Sequence, residues 1–93
     1  MSLPKISFSI KPIFTLSEDG IVSTIIEIDK KVFLFDCGID ESFSKRIIEK
    51  YEKEISKQKL DAIFISNNYL SYFGAIPIIK SFPLHKDVPI YAT

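Results

Sequence analysis

Hydrophobic and polar positions change their period along this chain, and each change marks an element. From Ile6 to Leu16 they alternate imperfectly, with Ile6, Phe8 and Ile10 apolar and Ser7, Ser9 and Lys11 polar. A period of two is that of a half-exposed strand, and Pro12, lacking an N–H for the ladder, places it at an edge or ends it. Ser17-Glu18-Asp19-Gly20 reads as a turn, with Gly20 free to take a positive φ. Ile21 to Ile28 and Val32 to Phe35 are β-branched or aromatic runs flanking Asp29-Lys30-Lys31, the pattern of a hairpin. Asp36-Cys37-Gly38 closes its second strand.

The period then becomes helical. Phe43, Ile47, Ile48, Tyr51 and Ile55 recur every three to four residues, while lysine, arginine and glutamate cover the other faces. Asp40 or Ser42 is placed to cap this helix, and Glu49 with Lys53 forms an i,i+4 pair. The charges read as a solvated face. Asp61-Ala62-Ile63-Phe64-Ile65 is near-continuously apolar, as in a strand covered on both faces. Gly74 to Phe82 predicts a short helix with Pro77 in its first turn, and Val88 to Tyr91 a last buried strand. The order β-β-β-α-β-α-β predicts an α/β fold: a mixed sheet with helices on one face. Ligands of such sheets sit at the carboxyl ends of the strands, where Asp36-Cys37-Gly38 and Ser66 to Phe73 both fall.

Composition narrows the classes. Ninety-three residues make at most one small domain, and a hydrophobic content of 46% excludes a disordered tail. Twelve basic and twelve acidic residues give a formal charge of zero, which argues against a sequence-independent grip on phosphates or membrane through this segment. Cys37 is the one cysteine, so no internal disulfide forms and a reducing compartment is expected. MSLPKISFSIKP lacks the uninterrupted apolar stretch of a signal peptide, and no apolar run nears the ~20 residues of a membrane-spanning helix. The last residues, Val88 to Thr93, run out inside a strand, which leads us to expect a piece of a larger domain.

Few residues carry obvious chemistry. Cys37 would need a base, and the one histidine, His85, falls in what reads as a surface loop, so a small buried cysteine and a non-ligating histidine are expected. Asp36 either orients neighbouring loops by accepting backbone N–H bonds or sits near a metal. The stretch ISNNYLSYFGAIP, from Ile65 to Pro77, offers amides and hydroxyls but no acid and no imidazole, so nothing in it suits general acid–base work near neutrality.

The spacing of these elements resembles the metallo-β-lactamase fold. In that family a hairpin ends in Asp-x-Gly, a helix follows, and a buried strand delivers His-x-His-x-Asp-His before a Gly-started helix. Those side chains converge on two metal ions about 3.5–4 Å apart that activate water. Asp36-Cys37-Gly38 matches the first element, and Ser66 to Pro77 aligns without a gap on the second. Asn67, Tyr69, Ser71 and Tyr72 fall on the four ligand positions, and each has lost its ligand. Asp36, Gly38 and Gly74 keep the frame. Asp-Cys-Gly-Ile-Asp-Glu-Ser-Phe-Ser (36–44), Gly-Ala-Ile-Pro (74–77) and Ile-Tyr-Ala-Thr (90–93) further resemble the β-CASP branch of RNA-processing nucleases, over Ile21 to Thr93.

The resemblance implies that residues 1–93 form the N-terminal part of an αββα sandwich whose remainder lies beyond Thr93. Without that remainder, a large apolar sheet face would be exposed. It also implies a non-catalytic subunit of the pre-mRNA cleavage and polyadenylation complex, acting in the nucleus with no metal or cofactor. Such a subunit would pair as a heterodimer with a related active endonuclease subunit, join other 3′-end processing factors and meet RNA through the complex, with no membrane partner. The alternatives are the corresponding inactive subunit of Integrator, an active metal-dependent RNA hydrolase holding its metal through later residues with Asp36 contributing, and a small α/β module of accidental similarity. The short spacing from Asp36-Cys37-Gly38 to Ile65 disfavours Integrator, whose subunit usually carries a long insertion there.

Overall fold

The computed structural model describes residues 7–92. Five strands form one mixed sheet in the order β1-β2-β3-β4-β5. Strand β1 (Phe8–Phe14) pairs antiparallel with β2 (Ser23–Ile28), and β2 antiparallel with β3 (Lys31–Cys37). Strands β4 (Ala62–Ile65) and β5 (Ile90–Ala92) continue it in parallel. Pro12 lies in an edge strand as expected, and the register slips between Pro12 and Phe14. Ile6, where the first strand was expected to begin, and Thr93 lie outside the described residues.

The local signals mostly hold. Asp29 and Lys30 both take positive φ, 47° and 72°, the type I′ geometry that suits a two-residue hairpin. Gly20 takes φ 73°, but it ends a single helical turn, α1 (Leu16–Asp19), where an open turn was expected. Helix α2 (Lys45–Ile55) starts later than its period suggests. The Asp40 carboxylate accepts the Ser44 N–H at 2.8 Å and the Ser44 hydroxyl as well, so it fixes the residue before the helix instead of capping it directly. Phe43 is thereby left outside, exposed, at φ 52°. The ion pair seen on the helix is Lys45–Glu49 at 3.7 Å, not Glu49–Lys53.

All helices that pack do so on one face. Ile25, Val32, Leu34, Ile63 and Ile65 of the sheet meet Ile47, Tyr51 and Ile55 of α2 in one cluster. Burying each such side chain contributes about 1.5–3 kcal/mol. The helix expected over Gly74 to Phe82 is α4 (Ile76–Ser81), with Pro77 in its first turn as expected, and a separate helical turn that was not expected, α3 (Leu70–Phe73), precedes it. Ile79 brings α4 into the same core.

Three expectations fail at the C-terminal side. His85 is fully buried in a 3₁₀ turn (Pro83–His85), where its Nε2–H donates at 2.8 Å to the Ile55 carbonyl at the end of α2, which the Gln58 N–H also reaches at 3.2 Å. Val88 is buried, but β5 itself is an exposed edge in which Tyr91 is 57% accessible. Strand β4 is likewise covered on one face only, since Phe64 remains half-exposed.

The opposite sheet face carries Phe8, Ile10, Ile26, Phe33, Phe35, Phe64 and Tyr91, and nothing among the described residues covers it. Phe35 stacks on Phe64 at 5.0 Å between ring centres, and Phe64 on Tyr91 at 5.4 Å. The expected uncovered apolar face is therefore an aromatic ladder running across three strands.

Candidate functional site

The carboxyl ends of β3 and β4 meet at Asp36. Its backbone is left-handed, at φ 64°, and its side chain is buried. One carboxylate oxygen accepts the Ser66 N–H and the other the Ser66 hydroxyl, both at 2.8 Å. Asp36 thereby accepts bonds from the loop that leaves β4. A short polar side chain at left-handed φ is the least costly of the non-glycine options.

Gly38 does a different job. A Cβ built on it would lie 1.7 Å from the Ser71 carbonyl oxygen, so only glycine lets the two backbones approach. Around this contact the chain is stitched by its own backbone. Val22 N–H donates to Ser71 O at 2.9 Å, Ile39 N–H to Leu70 O at 3.2 Å, Gly38 N–H to Val22 O at 2.9 Å and Ala75 N–H to Cys37 O at 2.8 Å. Gly74 has ordinary helical φ, but a Cβ there would meet Ile39 Cγ2 at 2.6 Å. From below, the buried Tyr51 hydroxyl donates to Gly38 O at 2.7 Å, tying the frame to α2. Burial pushes the Tyr51 phenol far above its ordinary range, so it stays protonated and donating.

The four positions that the resemblance places at metal ligands, Asn67, Tyr69, Ser71 and Tyr72, all lie on this fastened loop. Asn67 is half-buried and lines a small apolar recess with Ile65, Phe73 and Ile76. Tyr69 is 63% exposed, and its ring centre lies 6.4 Å from that of the half-buried Tyr72. Ser71 contributes through its backbone carbonyl. These four positions therefore present one amide, one hydroxyl and two phenols. These neutral oxygens do not suit a two-metal centre, which draws on carboxylates and imidazoles. Among the described residues no three His, Cys, Asp or Glu side chains converge on one point. Asp36 spends both oxygens on Ser66, and His85 lies against the other end of α2.

Cys37 is buried beside this frame, with its thiol pushed up to about 12 by burial and then by the neighbouring Asp36 charge. A thiol so protonated is no nucleophile near neutrality. Two contributors escaped the reading of the sequence. Ser66 was one more hydroxyl in a polar stretch, and only the fold reveals it as the partner of Asp36. Tyr51 was a core position in a helical period, although a buried phenol always needs an acceptor, and that need was its signal.

Comparison with known proteins agrees with this frame. The profile of the metallo-beta-lactamase superfamily domain matches residues 25–93. A Drosophila melanogaster protein described as probable cleavage and polyadenylation specificity factor subunit 2 is 35% identical over 69 residues, covering 74% of this chain and 9% of that protein. The Arabidopsis thaliana cleavage and polyadenylation specificity factor subunit 2 is 28% identical over 87 residues, 94% of this chain and 11% of its own length. A probable Caenorhabditis elegans counterpart is 28% identical over 79 residues, 80% of this chain and 9% of its own. The chain thus spans about a tenth of the length of the curated relatives it matches. With a family profile matched across most of its length and a hairpin, frame and loop placed as that family places them, the chain belongs to the metallo-β-lactamase superfamily.

Proposed function

We propose that this protein is a non-catalytic subunit of the pre-mRNA cleavage and polyadenylation machinery, built on a metallo-β-lactamase frame of the β-CASP type. Its work is assembly in the nucleus: it pairs with a related endonuclease subunit and helps hold RNA 3′ ends in place. The observation that carries this reading is the intact Asp36–Gly38–Gly74 frame around a loop whose Asn67, Tyr69, Ser71 and Tyr72 supply no metal donors of the right kind. The relatives named for a cleavage and polyadenylation factor give the machinery its identity. Losing both metals removes hydrolysis while leaving the surface that a partner recognises.

The test uses the full-length protein. Metal analysis after purification should find no stoichiometric zinc, RNA cleavage should be absent with or without chelator, and affinity purification should recover a related endonuclease subunit. Zinc held through residues 67–72, or chelator-sensitive cleavage, would overturn the proposal.

A further inference from the structure

A groove of about 530 Å³ opens beside the loop, between the turn after α1, the chain leaving β3 and the start of α3. Its floor is apolar, formed by the buried Ile21 and Ile39. One wall is Tyr69 with Leu70, both exposed, and the other carries Asp19, Asp40 and Glu41; no lysine or arginine lines it. Asp19 is engaged with the Thr15 N–H and Arg46, and Asp40 with Ser42 and Ser44. Glu41 is exposed and has no such partner among the described residues. Tyr69, the most exposed aromatic here, meets only the tilted ring of Tyr72. The walls are already fixed by the Ile39–Leu70 and Val22–Ser71 backbone bonds, so a ligand would order little on entering.

We propose that this groove docks an arginine-bearing segment of a partner protein. The guanidinium lies over the Tyr69 ring and pairs with Glu41, and an adjoining apolar side chain packs on Leu70 and Ile39. A planar cation suits a groove that carries both an exposed ring and carboxylates, and arginine's flat guanidinium can stack on the ring and pair with a carboxylate at once. Asp40 and Glu41, neither paired with a lysine or arginine among the described residues, repel a phosphate backbone, which sets nucleic acid aside as the occupant. This deepens the assembly reading above by naming the chemistry of a contact.

The test is saturation-transfer NMR on the full chain with the blocked dipeptide N-acetyl-leucyl-arginine amide, and with its uncharged citrulline counterpart. Transfer to both arginine and leucine protons is expected, with several-fold weaker binding of the citrulline peptide and weakening by salt. Tyr69→Ala and Glu41→Gln should each lower affinity about two- to fivefold. Glu41 is solvent-exposed, so its substitution leaves the fold intact. Absence of transfer, equal binding of citrulline, unchanged affinity in both variants, or displacement of the peptide by single-stranded RNA would each overturn the groove assignment. If the peptide fails but the endonuclease subunit still copurifies, only the groove falls. If the peptide binds and no such subunit copurifies, the groove stands and the assembly reading falls.

Discussion

Ser66 donates both its N–H and its hydroxyl to Asp36, at 2.8 Å each, across 30 residues of sequence. One carboxylate thereby fixes where the chain leaves β4. Asp36→Ala should cost about 1–3 kcal/mol in chemical denaturation, the loss of charged hydrogen bonds at a part-buried site. Asp36→Gly should be less destabilised than the alanine variant, by up to about 1 kcal/mol, since φ 64° favours glycine. The opposite rank would show that the strain is not where the backbone places it.

Gly38→Ala should be among the most damaging small substitutions in the chain. Its methyl group would fall 1.7 Å from a backbone oxygen, which cannot rotate away as a side chain could. We expect a loss of about 3 kcal/mol or more, read as a lower melting temperature. Gly74→Ala meets a side-chain methyl of Ile39 first and should cost about 1–3 kcal/mol.

Alkali tests the burial of Cys37. Its thiol is raised in the fold above the ordinary value of about 8.5, so its contribution to stability is fully present below that pH and lost as pH rises toward about 12. Native protein should alkylate slowly with iodoacetamide at mildly alkaline pH, and mild denaturant should release the reaction. Rapid alkylation of the native protein would contradict the burial.

Acid acts on the start of α2. Bonds from the Ser44 hydroxyl and then the Ser44 N–H hold Asp40 below the usual carboxylate range. A depressed carboxylate stabilises the fold above its unfolded pKa of about 3.9, and that contribution is lost as pH falls through the lower folded value. Asp40→Asn should therefore flatten the acid limb of stability against pH. An unchanged limb would show that other carboxylates dominate it.

The aromatic ladder predicts association. Phe35, Phe64 and Tyr91 form a stacked, water-exposed row, and contiguous apolar faces of this kind drive self-contact. The 93-residue chain should bind hydrophobic dye and sediment above its monomer mass of 10.6 kDa. Replacing Phe35 and Tyr91 by lysine should restore the monomer. A sharp cooperative melt of a wild-type monomer without dye binding would refute the expectation.

Periodicity made most of the fold legible, because strands and helices bury one face each and so announce it. Leu34, Ile47, Tyr51 and Ile63 are all core, as their spacing suggested. What it could not carry was anything decided by a distant partner. His85 looked polar and peripheral, yet it is buried with its ring bonded to the Ile55 carbonyl at the end of α2. Phe43 fitted the helical period, but Asp40 holds Ser44 as the residue before the helix, which starts at Lys45, two residues beyond Phe43. β5 looked buried from its apolar residues, whereas its place at the sheet edge leaves Tyr91 in water. The frame of the site was readable in Asp36, Gly38 and Gly74; the backbone stitching that gives each its role was not.

That stitching separates shape from chemistry. Ser71 is held by its carbonyl, Leu70 by its carbonyl and Ala75 by its N–H, none of which depends on the side chain attached. A loop anchored in this way keeps its path whatever residues it displays. Side chains at positions 67, 69, 71 and 72 can therefore change without the sheet registering it. What such a loop displays can be rewritten one side chain at a time, on a backbone that does not move.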